Sequence, residues 1–152
     1  GCIAFPESKW KNAYEYLVGN EPQWFYAYLV STENGEFAGD VNLHKSAGHD
    51  WYEMGIVIEA KHRGKGYASE GLRLLLLSPA KVSVTISPSV LIFVEEMGAN
   101  AVHNDFESSR TAAIKAHEHA GFCKYKEENG IIELIITKEQ FLSTEAETEE
   151  RK

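Results

Sequence analysis

The stretch MGIVIEAKHRGKGYASEGLRLLL, residues 54–76, constrains the fold of this chain more than any other. Its first part, within Glu53 to Glu59, ends in Ile56, Val57 and Ile58, an unbroken apolar run of the kind expected of a strand buried on both faces. Two glycines and three cations are then packed into residues 61–66, and a helix opens near Tyr67 with Leu72, Leu75 and Leu76 at helical spacing. At a helix start the backbone N–H groups have no partner of their own and carry the positive end of the helix dipole. Gly64 and Gly66 put no Cβ in the way, so a phosphate or pyrophosphate can approach that backbone closely.

The rest of the chain reads as elements around this unit. Ser8 is placed to cap a helix to Val18, with Trp10, Ala13, Tyr14 and Leu17 on one stripe. WFYAYLVS and FAGDVNLH, joined across Asn34-Gly35, predict an antiparallel pair. NAVHNDF predicts a further strand, and Ser108 or Ser109 is placed to cap an alanine-rich helix that Gly121 closes. CKYKE and IIELIIT, with a turn at Glu128-Asn129-Gly130, predict a last hairpin. The layout is a mixed sheet with helices on its faces.

One domain suits 152 residues, at 43% apolar and 25% charged. A net charge of −8 argues against a nucleic-acid surface, so the local cations Lys61, Arg63 and Lys65 point to a small anion. With only Cys2 and Cys123, no disulfide framework is implied. No signal peptide or membrane span is evident, and a cytoplasmic location is expected. The acidic run STEAETEERK, 143–152, reads as a solvated tail to a domain spanning 1–142.

Spacing rejects two familiar phosphate loops. The P-loop pattern needs glycine where Glu59 stands and Ser or Thr where Gly66 stands, and the dinucleotide pattern needs a glycine-like residue where Ser69 stands. Arg63-Gly64-Lys65-Gly66-Tyr67-Ala68 resembles instead the R/Q-x-x-G-x-G/A signature of the GCN5-related N-acetyltransferase (GNAT) family, and SSRTAAIKAHEHAGF, 108–122, resembles that family's second motif. NDFESSR before the alanine-rich helix resembles the branch of ribosomal-protein acetyltransferases. The resemblance covers about residues 8–140.

That resemblance implies a mixed, mostly antiparallel twisted sheet flanked by helices. It implies acetyl-CoA as cosubstrate, its pyrophosphate on Arg63, Gly64, Lys65, Gly66, Tyr67 and Ala68 and its pantetheine arm along Ile56, Val57 and Ile58. Read as N-x-x-A-I-x-x-Y, the second motif keeps Ala113 and Ile114 but has Arg110 for asparagine and His117 for tyrosine, and Arg110 and Ala113 are expected beside the coenzyme. His117 either protonates the departing thiolate, as its ordinary pKa near 6.5 allows, or packs beside the coenzyme. Glu53 is either the base that takes the acceptor's proton or a solvent-facing strand carboxylate.

His44, His49 and His103 could line an acceptor pocket or be structural, and Asp105 and Glu107 could pair with a cationic amine or simply flank a helix cap. His117 and His119 face apart on a helix, and no metal is expected. Ser78-Pro79 stops the helix after the loop, so that 78–94 reads as an insertion: an extra hairpin, an arm packing on a second subunit in a possible homodimer, or a segment of unfixed register. The strand and helix that the family places before residue 8 look missing or cut away.

The expected function is direct acetyl transfer to an amine acceptor, with no nucleic acid or membrane partner. Acyl-CoA binding without catalysis is the alternative. A purely structural domain leaves the glycine turn without a purpose.

Overall fold

The computed structural model describes residues 6–18, 23–76, 98–141 and 143. The 78–94 insertion, the tail beyond residue 143 and the chain before residue 6 lie outside them. A 3-10 turn at Glu7–Lys9 leads into α1 (Trp10–Val18), followed by β1 (Trp24–Val30), β2 (Phe37–Lys45) and β3 (Tyr52–Ile58). Then come a 3-10 turn at Ala60–His62, α2 (Tyr67–Leu76), β4 (Ala101–Glu107), α3 (Thr111–His119), β5 (Cys123–Glu128) and β6 (Ile131–Thr137). The six strands form one sheet in the order β1-β2-β3-β4-β6-β5, antiparallel except between β3 and β4. This is the mixed, mostly antiparallel sheet expected.

Turn chemistry sets the hairpins. Gly35 takes φ +72° while Asn34 Oδ1 accepts the Glu36 N–H at 3.0 Å. Asn129 and Gly130 both take positive φ, as a tight turn matching the strand twist requires. Gly121 at φ +94° ends α3, where the sequence placed its stop.

One face of the sheet is the core. Alternation puts Phe25, Val41, Leu43, Met54, Val102, Leu134 and Ile136 on it, with α2 adding Leu72, Leu75 and Leu76, all buried. Each such leucine contributes about 1.5–3 kcal/mol by leaving water. His117 of α3 belongs to this core, 2% exposed between the rings of Phe106 and Phe122. Its Nδ1–H donates to the Ala113 carbonyl at 2.8 Å, and its Nε2 accepts from Asn104 Nδ2 at 2.9 Å.

Three sequence expectations are corrected. On the α1 stripe Trp10 and Tyr14 are more than half exposed, and Ser8 lies inside the 3-10 turn rather than at the start of α1. α3 is capped by Arg110 with no side-chain bond, because Ser108 N–H is drawn to the Gly130 carbonyl and Ser109 offers its carbonyl to Thr111. β3 is not buried on both faces, since Val57 is 58% exposed. Among the described residues, the face bearing Val57 carries only α1, which meets the sheet at β1, where Tyr16 packs on Trp24.

A Cβ on Gly39 would overlap the Val57 carbonyl oxygen, which is backbone and cannot swing aside. Gly39→Ala should therefore cost about 1–3 kcal/mol, read as a lowered denaturation midpoint. Burial holds the His117 pKa below its ordinary value and nearby Arg110 adds to this, against the bond to Ala113. The unfolded chain then binds a proton that the folded one refuses, so this contribution is complete above about pH 6.5 and is lost as pH falls below it. Wild-type chain should lose more stability between pH 7.5 and 5.5 than His117→Gln, whose melting temperature should start lower but fall less.

Candidate active site

β3 and β4 pair only at Tyr52–Val102 and Glu53–His103 and then part. The bonds Glu59 N–H to Ala38 and Lys45 N–H to Gln23 fix the phase of the β1–β2–β3 ladders. By that phase Glu53, Gly55 and Val57 turn their peptide groups to β2; of those turned the other way, the Met54 N–H is taken by the His103 carbonyl in the Glu53–His103 pairing, and the Met54 carbonyl and the Ile56 and Ile58 peptide groups face the gap. Among the described residues no strand takes up this edge beyond Glu53. Of the three expected pantetheine contacts, Ile56 and Ile58 present backbone there and Val57 does not.

The gap leads to the glycine turn. Gly64 at φ +74° and Gly66 at φ +88° hold conformations that other residues rarely adopt, and a Cβ on either would meet nothing within 4 Å. Gly66 offers its carbonyl to the Glu70 N–H as the first bond of α2. Among the described residues the N–H groups of 64–69 have no acceptor. The result is an exposed concave run of donors at a helix N-terminus, which suits an anion. A cleft of roughly 700 Å³ opens beside it, walled by Ser31, Asn34, Lys61, Lys65, Ser69, Arg73 and His119.

The cations divide their duties. Lys61 pairs with Glu36 at 3.3 Å and Glu59 at 3.5 Å. Arg63 Nε donates to the Ile58 carbonyl at 3.1 Å, fastening the loop to the end of β3. Lys65 has no partner among the described residues. Tyr67 is half-buried, its hydroxyl bonded to Ser31 Oγ at 3.0 Å and its ring edge-on to buried His62, and Ala68 is half-buried beside it. Arg110 lies with its guanidinium 5.5 Å from the Phe106 ring centre.

On the sheet face away from α2 and α3, register assembles a polar cluster at the point where β3 and β4 part. His44 stands opposite Glu53, Glu53 beside His103, and Asp105 opposite Glu133. Glu53 accepts from Trp51 Nε1 and from His103 Nδ1, both at 2.6 Å. Burial pushes its carboxyl up, but the bonds from His103 and Trp51 outweigh this and hold it below the usual range, so it stays ionised. Trp51 stacks on His49 at 4.0 Å and faces His103 at 5.0 Å, and Tyr125, at an irregularity in β5, meets both Trp51 and His103 edge-on. Further along this face Tyr26 hydrogen-bonds Asp40; burial first, and the Asp40 charge second, raise the phenol to about 12, and burial also raises Asp40.

The structure thus brings Glu53, His103 and Asp105 together, and sets His44 beside them stacked on Trp24. It places His117 apart, in the core on the opposite face. Trp51, Tyr125 and Glu133 were missed by sequence reasoning: Trp51 bonds Glu53 from two residues away, a local signal, whereas Tyr125 and Glu133 are brought in by strand register.

The chain matches a sequence family described as Acetyltransferase (GNAT) domain over residues 5–123. No curated protein matches it. Among solved structures it is similar to a spermidine N-acetyltransferase from Vibrio cholerae in complex with CoA and spermine, at TM-score 0.65 and 14% identity over 93% of this chain and 81% of that one. A GNAT-family acetyltransferase from Bacillus anthracis gives TM-score 0.62 and 18% identity over 89% and 76%. A domain from Methanocaldococcus jannaschii gives 0.60 and 21% over 85% and 75%. These likenesses carry the fold, and the match over more than three quarters of the sequence carries the family: the chain belongs to the GNAT acetyltransferases.

Proposed function

We propose that this chain is an acetyl-CoA-dependent N-acetyltransferase that moves acetyl directly to an amine. The observation that carries the reading is the run of unpartnered N–H groups at 64–69 beside the unpaired edge of β3. Bare backbone at Gly64 and Gly66, the Met54 carbonyl and the free peptide group of Ile56 fit a diphosphate and an extended amide-bearing arm. Lys65 adds charge, and Arg63 holds the loop in place through Ile58.

Acetyl-CoA, when bound, supplies the activated thioester. Glu53 then takes the proton that an ammonium acceptor must lose before its nitrogen attacks the carbonyl carbon; as the C–S bond breaks, the further proton shed by that nitrogen on becoming an amide passes to the departing thiolate, and CoA leaves as free thiol. Trp51 and His103, one on each carboxylate oxygen, aim Glu53 and keep it anionic. His117 is left out of the proton path, because both its ring nitrogens are engaged within the core.

The acceptor side is the face of Glu53, Asp105 and Glu133 walled by Trp51 and Tyr125, a lining that suits a cationic amine. The spermine held by the Vibrio cholerae structure makes polyamines the first acceptors to try, with protein N-termini next. The absence of a proton donor at His117 favours a second reading, coenzyme binding without turnover.

Release of free thiol from acetyl-CoA, measured with a panel of polyamines, amino sugars and N-terminal peptides, separates the two: no release with any amine, together with saturable CoA binding, leaves only the second. Gly66→Val should weaken CoA at least tenfold in calorimetry, whereas Lys65→Ala should weaken it only a few-fold. Glu53→Gln should lower kcat about 10²–10⁴-fold with CoA affinity nearly intact; unchanged turnover would remove Glu53 from the chemistry.

A further inference from the structure

We propose that Glu53, His103 and Asp105 form a binding site for a zinc-type divalent cation, with Glu133 as its outer partner. One donor atom from each of the three lies within 4.8 Å of the other two. Asp105 is exposed on the strand and free to close the remaining gap, while Glu53 and His103 are held in place.

His103 distinguishes this cluster from an ordinary acidic patch. The ring is 5% exposed, and its Nδ1–H donates to Glu53 at 2.6 Å. Its Nε2 is buried without a hydrogen-bond partner, although Glu133 Oε2 is only 3.5 Å away. With the proton on Nδ1, the Nε2 lone pair looks towards a carboxylate, an unfavourable arrangement for a buried polar atom. A cation in place of the Nδ1 proton moves the ring proton to Nε2, where it can point to Glu133.

That produces the carboxylate–histidine–metal arrangement that fixes ring orientation in metal sites. Glu53 meanwhile keeps its bond from Trp51 on the other oxygen, so both held ligands have an outer support. One imidazole with carboxylate oxygens favours zinc, cobalt or manganese over calcium or magnesium. A doubly protonated ring would also satisfy both carboxylates with no metal, and the experiment decides between them.

The consequence for activity rests on the acetyltransferase reading: metal on Glu53 occupies the lone pair that accepts the amine's proton. Zinc should then inhibit acetyl transfer competitively with the amine and leave CoA affinity unchanged.

The test is calorimetric titration of the full chain with ZnCl2 and CoCl2, together with the visible spectrum of the cobalt form. Expected are saturable binding at one cation per chain and cobalt d–d bands, with affinity at least tenfold weaker in His103→Gln and in Asp105→Asn, and about 10–100-fold weaker in Glu133→Gln. Asp105→Asn changes an exposed side chain, and an unaltered circular dichroism melt shows that its fold is intact. No saturable binding at millimolar metal overturns the proposal. So does binding that persists in both His103→Gln and Asp105→Asn, which would place the cation elsewhere, for example on the exposed Cys123 thiol. Metal binding with no acetyl transfer to any amine leaves this site standing and removes the function; transfer without metal binding does the reverse.

Discussion

Two parallel strands that begin paired and then separate are the constraint from which the rest follows. β3 and β4 share register only at Tyr52–Val102 and Glu53–His103, after which the Met54 carbonyl and the Ile56 peptide group face a gap. Unpaired backbone in a sheet is costly unless water or a ligand meets it. The same split brings the end of β3 into the glycine turn, so the open edge and the anion-binding donors become one continuous surface, fastened by Arg63 on Ile58.

The split also divides the labour between the two faces. On one side α2 and α3 close the apolar core, and there His117 is buried with both ring nitrogens hydrogen-bonded. On the other, Glu53 sits at the apex of the split with a donor on each oxygen, inside a rim of carboxylates and rings. On the proposed acetyltransferase reading that carboxylate takes the acceptor's proton, on the proposed metal reading it holds a cation, and the two uses exclude one another.

Much of this was legible in the sequence where the signal is local. Asn34-Gly35 and Asn129-Gly130 marked both hairpins because positive φ is a property of those residues themselves, and Gly64 and Gly66 marked the loop for the same reason. Leu72, Leu75 and Leu76 named the buried side of α2. What could not be read depends on partners far along the chain. Val57 looked doubly buried because a one-dimensional pattern cannot say whether anything covers the face its side chain points to. Ser109 looked like a cap, but its neighbour Ser108 is claimed by the hairpin turn at Gly130. Tyr125 and Glu133 reach the Glu53–His103 cluster only through register, and Asn104, which bonds His117 Nε2, comes from another element.

A sheet that leaves backbone open in its middle must still keep strangers off its rim. One of the two edge strands, β5, is exposed at every residue and carries Lys124, Lys126, Glu127 and Glu128, all four tied in the pairs Lys124–Glu127 and Lys126–Glu128. A foreign strand sliding in to extend the sheet would have to strip water from that row of charges and break up its pairings. At this edge the molecule thereby turns other polypeptides away, while the unpaired backbone within the sheet stays open to something smaller.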